Sequence, residues 1–278
     1  MGSSVWPSLI HPLVIALLVA FCLAPFLWLL DTSLKTPDDL YRIPPKLLPV
    51  PADFRNYIMI WQGRPFLQNV ANSAVIASAA TAISLAVGSL CAYALARLRF
   101  RGKNLILAMV LAVSMFPGIA IVSPLYLFFS QLQLINSKPA LIFPYVTFTL
   151  PLCVWLLTAF FRELPADLEE AAQVDGATPL AAFRKVIVPL AAPGVFTAAI
   201  LIFIFAWNEF LFARTFMNSA ASYTVPPAIS MFEGMGTFVI PWGQITAASV
   251  VVTLPLVVLV LVFQRRIISG LTAGAIKG

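Results

Sequence analysis

Residues 139–161 read PALIFPYVTFTLPLCVWLLTAFF, 23 consecutive positions without a charged side chain, bounded by Lys138 on one side and by Arg162 and Glu163 on the other. A bilayer core about 30 Å thick needs roughly 20 apolar helical residues to cross it, so this stretch is long enough for one span. Five more uncharged stretches lie outward from it, at 1–30, 65–96, 104–137, 186–208 and 234–264, and the six together hold 173 of the 278 residues. The chain is 61% hydrophobic and only 10% charged, where soluble domains carry about 25% charged residues. That composition excludes a soluble enzyme, a disordered chain and a disulfide scaffold. A transmembrane barrel would alternate apolar and polar residues over segments of about 10 residues, and runs such as 13–20 and 200–206 do not alternate. Helices satisfy every backbone donor and acceptor within one segment where no water is available. The prediction is an all-α integral membrane protein, one transmembrane domain over 1–278, with six transmembrane helices near 12–30, 70–95, 105–129, 139–161, 193–213 and 243–263.

Six spans put both termini on one side, and the excess of Lys and Arg in short loops decides which side is cytoplasmic. The link after span two holds Arg97, Arg99, Arg101 and Lys103; the link after span four, Arg162, Arg184 and Lys185; the C-terminal tail, 264–278, Arg265, Arg266 and Lys277. The opposite face has Lys138 and Arg214 in its later loops, a balance of 10 against 2. Lys35, Arg42, Lys46, Arg55 and Arg64 after span one change the balance to 10 against 7. Four aspartates, Asp31, Asp38, Asp39 and Asp53, are interspersed there, and long segments weigh less in the rule. The dense faces and both termini are therefore read as cytoplasmic. The net charge of +6 mostly reflects this topology and not an anionic cargo; the expected surroundings are the lipid bilayer, with no nucleic acid as partner. The first 30 residues lack a basic leader and read as a retained span, not a signal peptide.

Cys22, Cys91 and Cys153 lie in three different spans without metal-ligand spacing, and His11 is the only histidine. They read as packing and interfacial residues, with no metal site and no catalytic group. Span two is rich in Ala, Ser and Gly, from Ala71 to Gly88, which predicts close helix packing. Pro117, Pro124, Pro144, Pro151 and Pro255 interrupt later spans and are expected to kink them.

The loop 162–192 carries the most specific pattern. It reads as two short helices. Pro165 suits a first turn, Asp167, Glu169 and Glu170 suit the positive end of a helix dipole, and Leu164, Leu168, Ala171 and Ala172 recur at helical spacing as an apolar stripe. Gly176 supplies a stop, and Thr178 followed by Pro179 supplies a cap and first position for the second helix. A surface helix on anionic lipid would be basic on its polar face. This one is acidic, which fits a basic protein groove instead.

Glu170-Ala171-Ala172, Asp175-Gly176-Ala177, Phe183 and Val186-Ile187-Val188-Pro189 resemble the EAA loop of bacterial ABC import permeases. Ala206-Trp207-Asn208-Glu209-Phe210 and the ending from Gln264 to Gly278 narrow the likeness to the smaller permease subunit of carbohydrate importers of the maltose and trehalose type. The resemblance implies a type I importer permease in the bacterial cytoplasmic (inner) membrane, with the loop as a cytoplasmic coupling helix docked on an ATPase dimer. It implies that Glu170 meets a basic residue of that ATPase, that Ala171 and Ala172 permit close approach and that Gly176 makes the turn, with Asp175 also among the ATPase-coupling residues. It also implies a second, larger permease subunit, an extracytoplasmic solute-binding protein and a sugar substrate. The chain has no G-x-x-x-x-G-K-[ST] phosphate loop, since Gly102-Lys103 is followed by Asn104 and lacks the upstream glycine. It is therefore read as a non-enzyme that binds no cofactor itself, with ATP and Mg on the partner.

Glu209 is the one acidic residue inside a predicted span, and such groups are functional candidates by default. Trp207, Asn208 and Glu209 are the candidate substrate pathway, although helical spacing spreads them over different faces and lets at most two line one wall. Pairing of Glu209 with Arg214 or water is the alternative. Residues 214–242 read as an exposed loop with a re-entrant piece around 231–238, either meeting the binding protein or simply connecting spans. Residues 270–278 either reach the ATPase interface or form a flexible tail. Ion-driven transport and a passive membrane anchor are rival readings; the first lacks internal repeats and the second has no use for an acidic docking helix. A tag fused after Pro51 is expected to be reachable only from outside the membrane, and access only from inside would overturn the topology.

Overall fold

The structure, a computed structural model, describes residues 6–232 and 240–273. Its helices in order are α1 (Trp6–Ser33), α2 (Pro37–Leu40), α3 (Arg55–Met59), α4 (Phe66–Arg97), α5 (Lys103–Ser114), α6 (Gly118–Gln131) and α7 (Lys138–Glu163). After these come α8 (Asp167–Val174), α9 (Pro179–Ala182), a π-helical turn (Phe183–Ile187), α10 (Val188–Leu190), α11 (Ala192–Asn208), α12 (Leu211–Phe216), α13 (Val225–Ser230) and α14 (Trp242–Ala273). No strand occurs among the described residues. Four helices are long and apolar enough to cross a membrane over His11–Ser33, Phe66–Arg97, Lys138–Glu163 and Trp242–Gln264. Two bent pairs bring the number of possible spans to six.

The predicted span 105–129 is not one straight helix: α5 and α6 meet at 84°. The break falls at Pro117, directly before Gly118, where two poor helix formers adjoin. Pro124, Pro144, Pro151 and Pro255 instead lie inside continuous helices. The predicted span 193–213 stops early, because α11 ends at Asn208 and α12 is a separate short helix. The segment taken as a tail from residue 264 continues α14 through Ala273, while 274–278 lie outside the described residues.

The chain forms two compact units, Met1–Arg64 with Ile229–Leu254, and Pro65–Ala228 with Pro255–Gly278. In the first, the Asn56 amide donates to the carbonyls of Ser33 (3.0 Å) and Lys35 (3.2 Å), and Tyr57 shares a 2.7 Å hydrogen bond with Ser33. The link after α1 is tied by ion pairs: Lys46 hydrogen-bonds Asp39 at 3.0 Å and holds its carboxyl below the ordinary carboxylate range, and Arg55 does the same for Asp53.

In the second unit α4 and α7 run parallel, because Ser84 meets Thr149 (2.8 Å between hydroxyl oxygens) and, one turn on, Gly88 faces Cys153. Inter-helix hydrogen bonds in lipid average only about 0.6 kcal/mol, so the small residues of α4 account for most of the closeness. A β-carbon on Gly88 would lie 2.6 Å from the Cys153 sulfur, and one on Gly194 of α11 would lie 2.3 Å from the Phe160 ring. Ala92, Leu157, Phe161, Phe183, Ile187 and Ile202 are among the residues that close a common core between these helices and the π-turn.

Residues 214–232 are not the exposed loop expected from their Asn, Ser, Thr and Pro content. Tyr223, Thr224, Val225 and Ala228 are buried. The amides of Asn69 and Asn72 on α4 donate to the carbonyls of Ala220, Ala221 and Tyr223 at 2.8–3.1 Å, and Ser73 accepts the Val225 N–H at 2.8 Å. Of the proposed re-entrant piece, residues 233–238 lie outside the described residues.

Gly88→Ala should lower the thermal midpoint of the purified protein in detergent, the overpacking costing about 1–3 kcal/mol. Adding Cys153→Ala should restore part of the loss. An unchanged midpoint in the single variant would show that α4 and α7 do not approach this closely.

Candidate functional site

The loop after α7 is built by local rules. Leu164 is extended, as a residue before proline tends to be, and α8 begins at Asp167, just beyond Pro165. Its first turn carries Asp167, Glu169 and Glu170, whose charges favour a helix N-terminus. Gly176 stops the helix with φ +88°, a conformation that L side chains adopt only at a cost. Thr178 Oγ1 accepts the Ala181 N–H at 3.3 Å and Pro179 opens α9, giving the predicted cap. The π-turn and α10 follow, and the chain bends by 78° into α11.

The predicted apolar stripe of α8 is split. Leu164 and Ala172 are partly buried, but Leu168 is 41% exposed, Ala171 is exposed and Val174 is 87% exposed. The inward position belongs to Glu169, 9% exposed. Its carboxylate takes the Tyr93 hydroxyl hydrogen bond, and Arg97 Nε lies 3.5 Å from Oε2, an ion pair and not an aligned hydrogen bond. The charge pairing explains the inversion: a buried carboxylate is tolerated where a cation and a donor meet it. Of the residues singled out in the sequence, Glu170, Ala171, Asp175 and Gly176 are exposed on the loop and Ala172 is half-buried. Glu169 was missed, and the only available signals were the Tyr93 and Arg97 side chains on a distant helix.

Trp207, Asn208 and Glu209 do not line one wall. Trp207 is 4% exposed and stacks on Phe203, with ring centroids 5.6 Å apart. Asn208 is exposed and donates from its amide to the Ile204 carbonyl at 2.8 Å. Glu209 sits in the break between α11 and α12. Its carboxylate accepts the N–H groups of Phe212 (2.9 Å) and Ala213 (3.1 Å) and the Tyr145 hydroxyl at 2.7 Å. It caps α12 and ties it to α7. Arg214 is not its partner and instead lies 6.0 Å over the Tyr223 ring. A polar cavity of about 310 Å³, lined by residues including Gln68, Asn72, Asn136, Lys138 and Ser222, contains none of the three. Asn72 and Asn136 there are already bonded to neighbouring groups.

Residues 55–272 match the family described as binding-protein-dependent transport system inner membrane component. The chain is 48% identical over 262 residues to the trehalose transport system permease protein SugB of Mycobacterium tuberculosis, covering 94% of this chain and 95% of that one. It is 42% identical over 264 residues to the trehalose/maltose transport system permease protein MalG of Thermococcus litoralis, covering 94% of each. Among solved structures, a chain of a bacterial ABC transporter involved in the import of the acidic polysaccharide alginate superposes with a TM-score of 0.77 at 20% identity, over 95% of this chain and 98% of that one. At that identity the likeness shows the fold, that of a type I importer permease. With the family pattern spanning most of its length and relatives matched nearly end to end, the chain belongs to the binding-protein-dependent inner-membrane permeases of ABC transport systems.

Proposed function

We propose that this chain is the smaller membrane subunit of a sugar importer, forming half of the pathway for a di- or oligosaccharide and taking its driving force from a separate ATPase through the loop 162–192. The observation that carries the substrate class is the near-complete match to two permeases named for trehalose or trehalose/maltose transport. The observation that favours the coupling role is the outward face of α8, where Glu170 and Ala171 are exposed and, among the described residues, the Glu170 carboxylate has no hydrogen bond or ion pair. In the assembly, Glu170 pairs with a basic residue of the ATPase, Ala171 and Ala172 let the two backbones approach, and Asp175 with Gly176 turns the chain back to the membrane. ATP and Mg belong to the ATPase dimer, and this chain binds no cofactor. A larger permease subunit supplies the other half of the pathway, and an extracytoplasmic solute-binding protein delivers the sugar. The loop and both termini face the cytoplasm.

Within the pathway segment the three residues divide by what their side chains already do. Trp207 packs and Glu209 caps, so Asn208, exposed and with its side-chain amide oxygen unbonded among the described residues, is the group offered to a sugar hydroxyl.

Glu170→Lys should weaken ATPase docking by about 2 kcal/mol or more, so that the ATPase is lost on co-purification and sugar uptake into proteoliposomes collapses. Normal uptake with intact coupling would overturn the docking role. Glu209→Ala leaves two N–H groups and a hydroxyl unpaired and should cost about 1–3 kcal/mol of stability, read as a lower thermal midpoint with an unchanged maltose-to-trehalose uptake ratio. A changed ratio would return Glu209 to the pathway.

A further inference from the structure

Glu169 and Glu170 are neighbours that face opposite ways. Glu170 is exposed, and Glu169 is turned into its own subunit. Both groups that stabilise the buried carboxylate come from the last turns of α4: the Tyr93 hydroxyl donates to Oε1 and the Arg97 guanidinium faces Oε2 at 3.5 Å. Arg97 also donates from Nη2 to the Leu164 carbonyl at 2.8 Å, holding the point where α7 passes into the loop. The Tyr93 ring rests on Phe183 of the π-turn, with centroids 4.8 Å apart, and Phe183 meets Phe161 of α7 edge-on at 6.1 Å. Among the described residues, no other side chain of α8 has a hydrogen bond or ion pair to a membrane helix. Apart from Glu169, α8 packs chiefly against α9 and the π-turn.

We propose that Glu169, held by Tyr93 and Arg97, is the positioning residue that passes displacement of α8 to the transmembrane helix α4. The inference rests on the reading of 162–192 as the ATPase-docking loop: Glu170 faces the motor and Glu169 faces the membrane domain. The two-part bond suits the task. An ion pair and a hydrogen bond in a low-dielectric pocket resist separation more than an exposed pair does, and Arg97 grips two points of the loop at once. A push on α8 therefore moves α4 together with the end of α7, which runs parallel to it.

The test uses the complete transporter in proteoliposomes with its binding protein and sugar, measuring uptake and ATP hydrolysis on the same vesicles. Glu169→Gln keeps the size and an acceptor for Tyr93 but removes the charge, and Tyr93→Phe removes only the hydroxyl. In each variant the ATPase should still co-purify and hydrolyse ATP, while sugar moved per ATP falls by about tenfold. The double variant should be no worse than Glu169→Gln alone, as expected for two residues acting through one contact. An unchanged ratio of sugar to ATP in either single variant overturns the proposal. So does loss of the ATPase from the Glu169→Gln complex, which would make Glu169 a docking residue. Failure of the docking reading itself shows elsewhere, as a Glu170→Lys transporter that keeps its ATPase and its full uptake.

Discussion

No water reaches the hydrocarbon core of a bilayer, so each backbone N–H and C=O there must find a partner within protein. Unbroken helices meet that demand by themselves. The positions that need explanation are those where a helix stops or the backbone turns irregular, and at three such places in this chain a side chain takes up the free backbone groups. Glu209 takes the free N–H groups of α12 where α11 has ended. Asn69, Asn72 and Ser73 bond the irregular backbone around residues 220–225. Thr178 does the same for the small helix α9. Polar side chains on apolar helices are thus mostly committed to backbone, and few are left for a solute.

Helix α4 gathers three of these duties along its length. Its early turns carry the asparagines, its middle presents Ser84 and Gly88 to α7, and its last turns carry Tyr93 and Arg97 to the loop. Its small residues let α7 come close, and the closeness leaves no slack for larger ones. Association in lipid lacks the hydrophobic drive available in water, so this fit and the few polar bonds must hold the pair.

The spans were legible because length and hydropathy suffice to detect a crossing. The loop was legible because Gly176, Thr178 and Pro179 each act within a few residues of themselves. What local pattern could not reveal was any feature whose cause lies far along the chain. Periodicity put Leu168 and Ala171 inward, while the inward residue is Glu169, paired with groups more than seventy positions earlier. The composition of 214–232 suggested exposure, yet the asparagines of α4 bury part of it. Five prolines looked alike, but only Pro117, with Gly118 beside it, ends a helix. Glu209 was conspicuous as a lone acid, but its neighbours in space were not readable from its neighbours in sequence.

Gly176 has one more property. At φ +88° nothing lies within 4 Å of where its β-carbon would be. Bulk is therefore no objection at this position, and the objection to an L side chain is torsional. A mirror-image residue would sit there without strain, so the bend between the two loop helices discriminates by handedness and not by size.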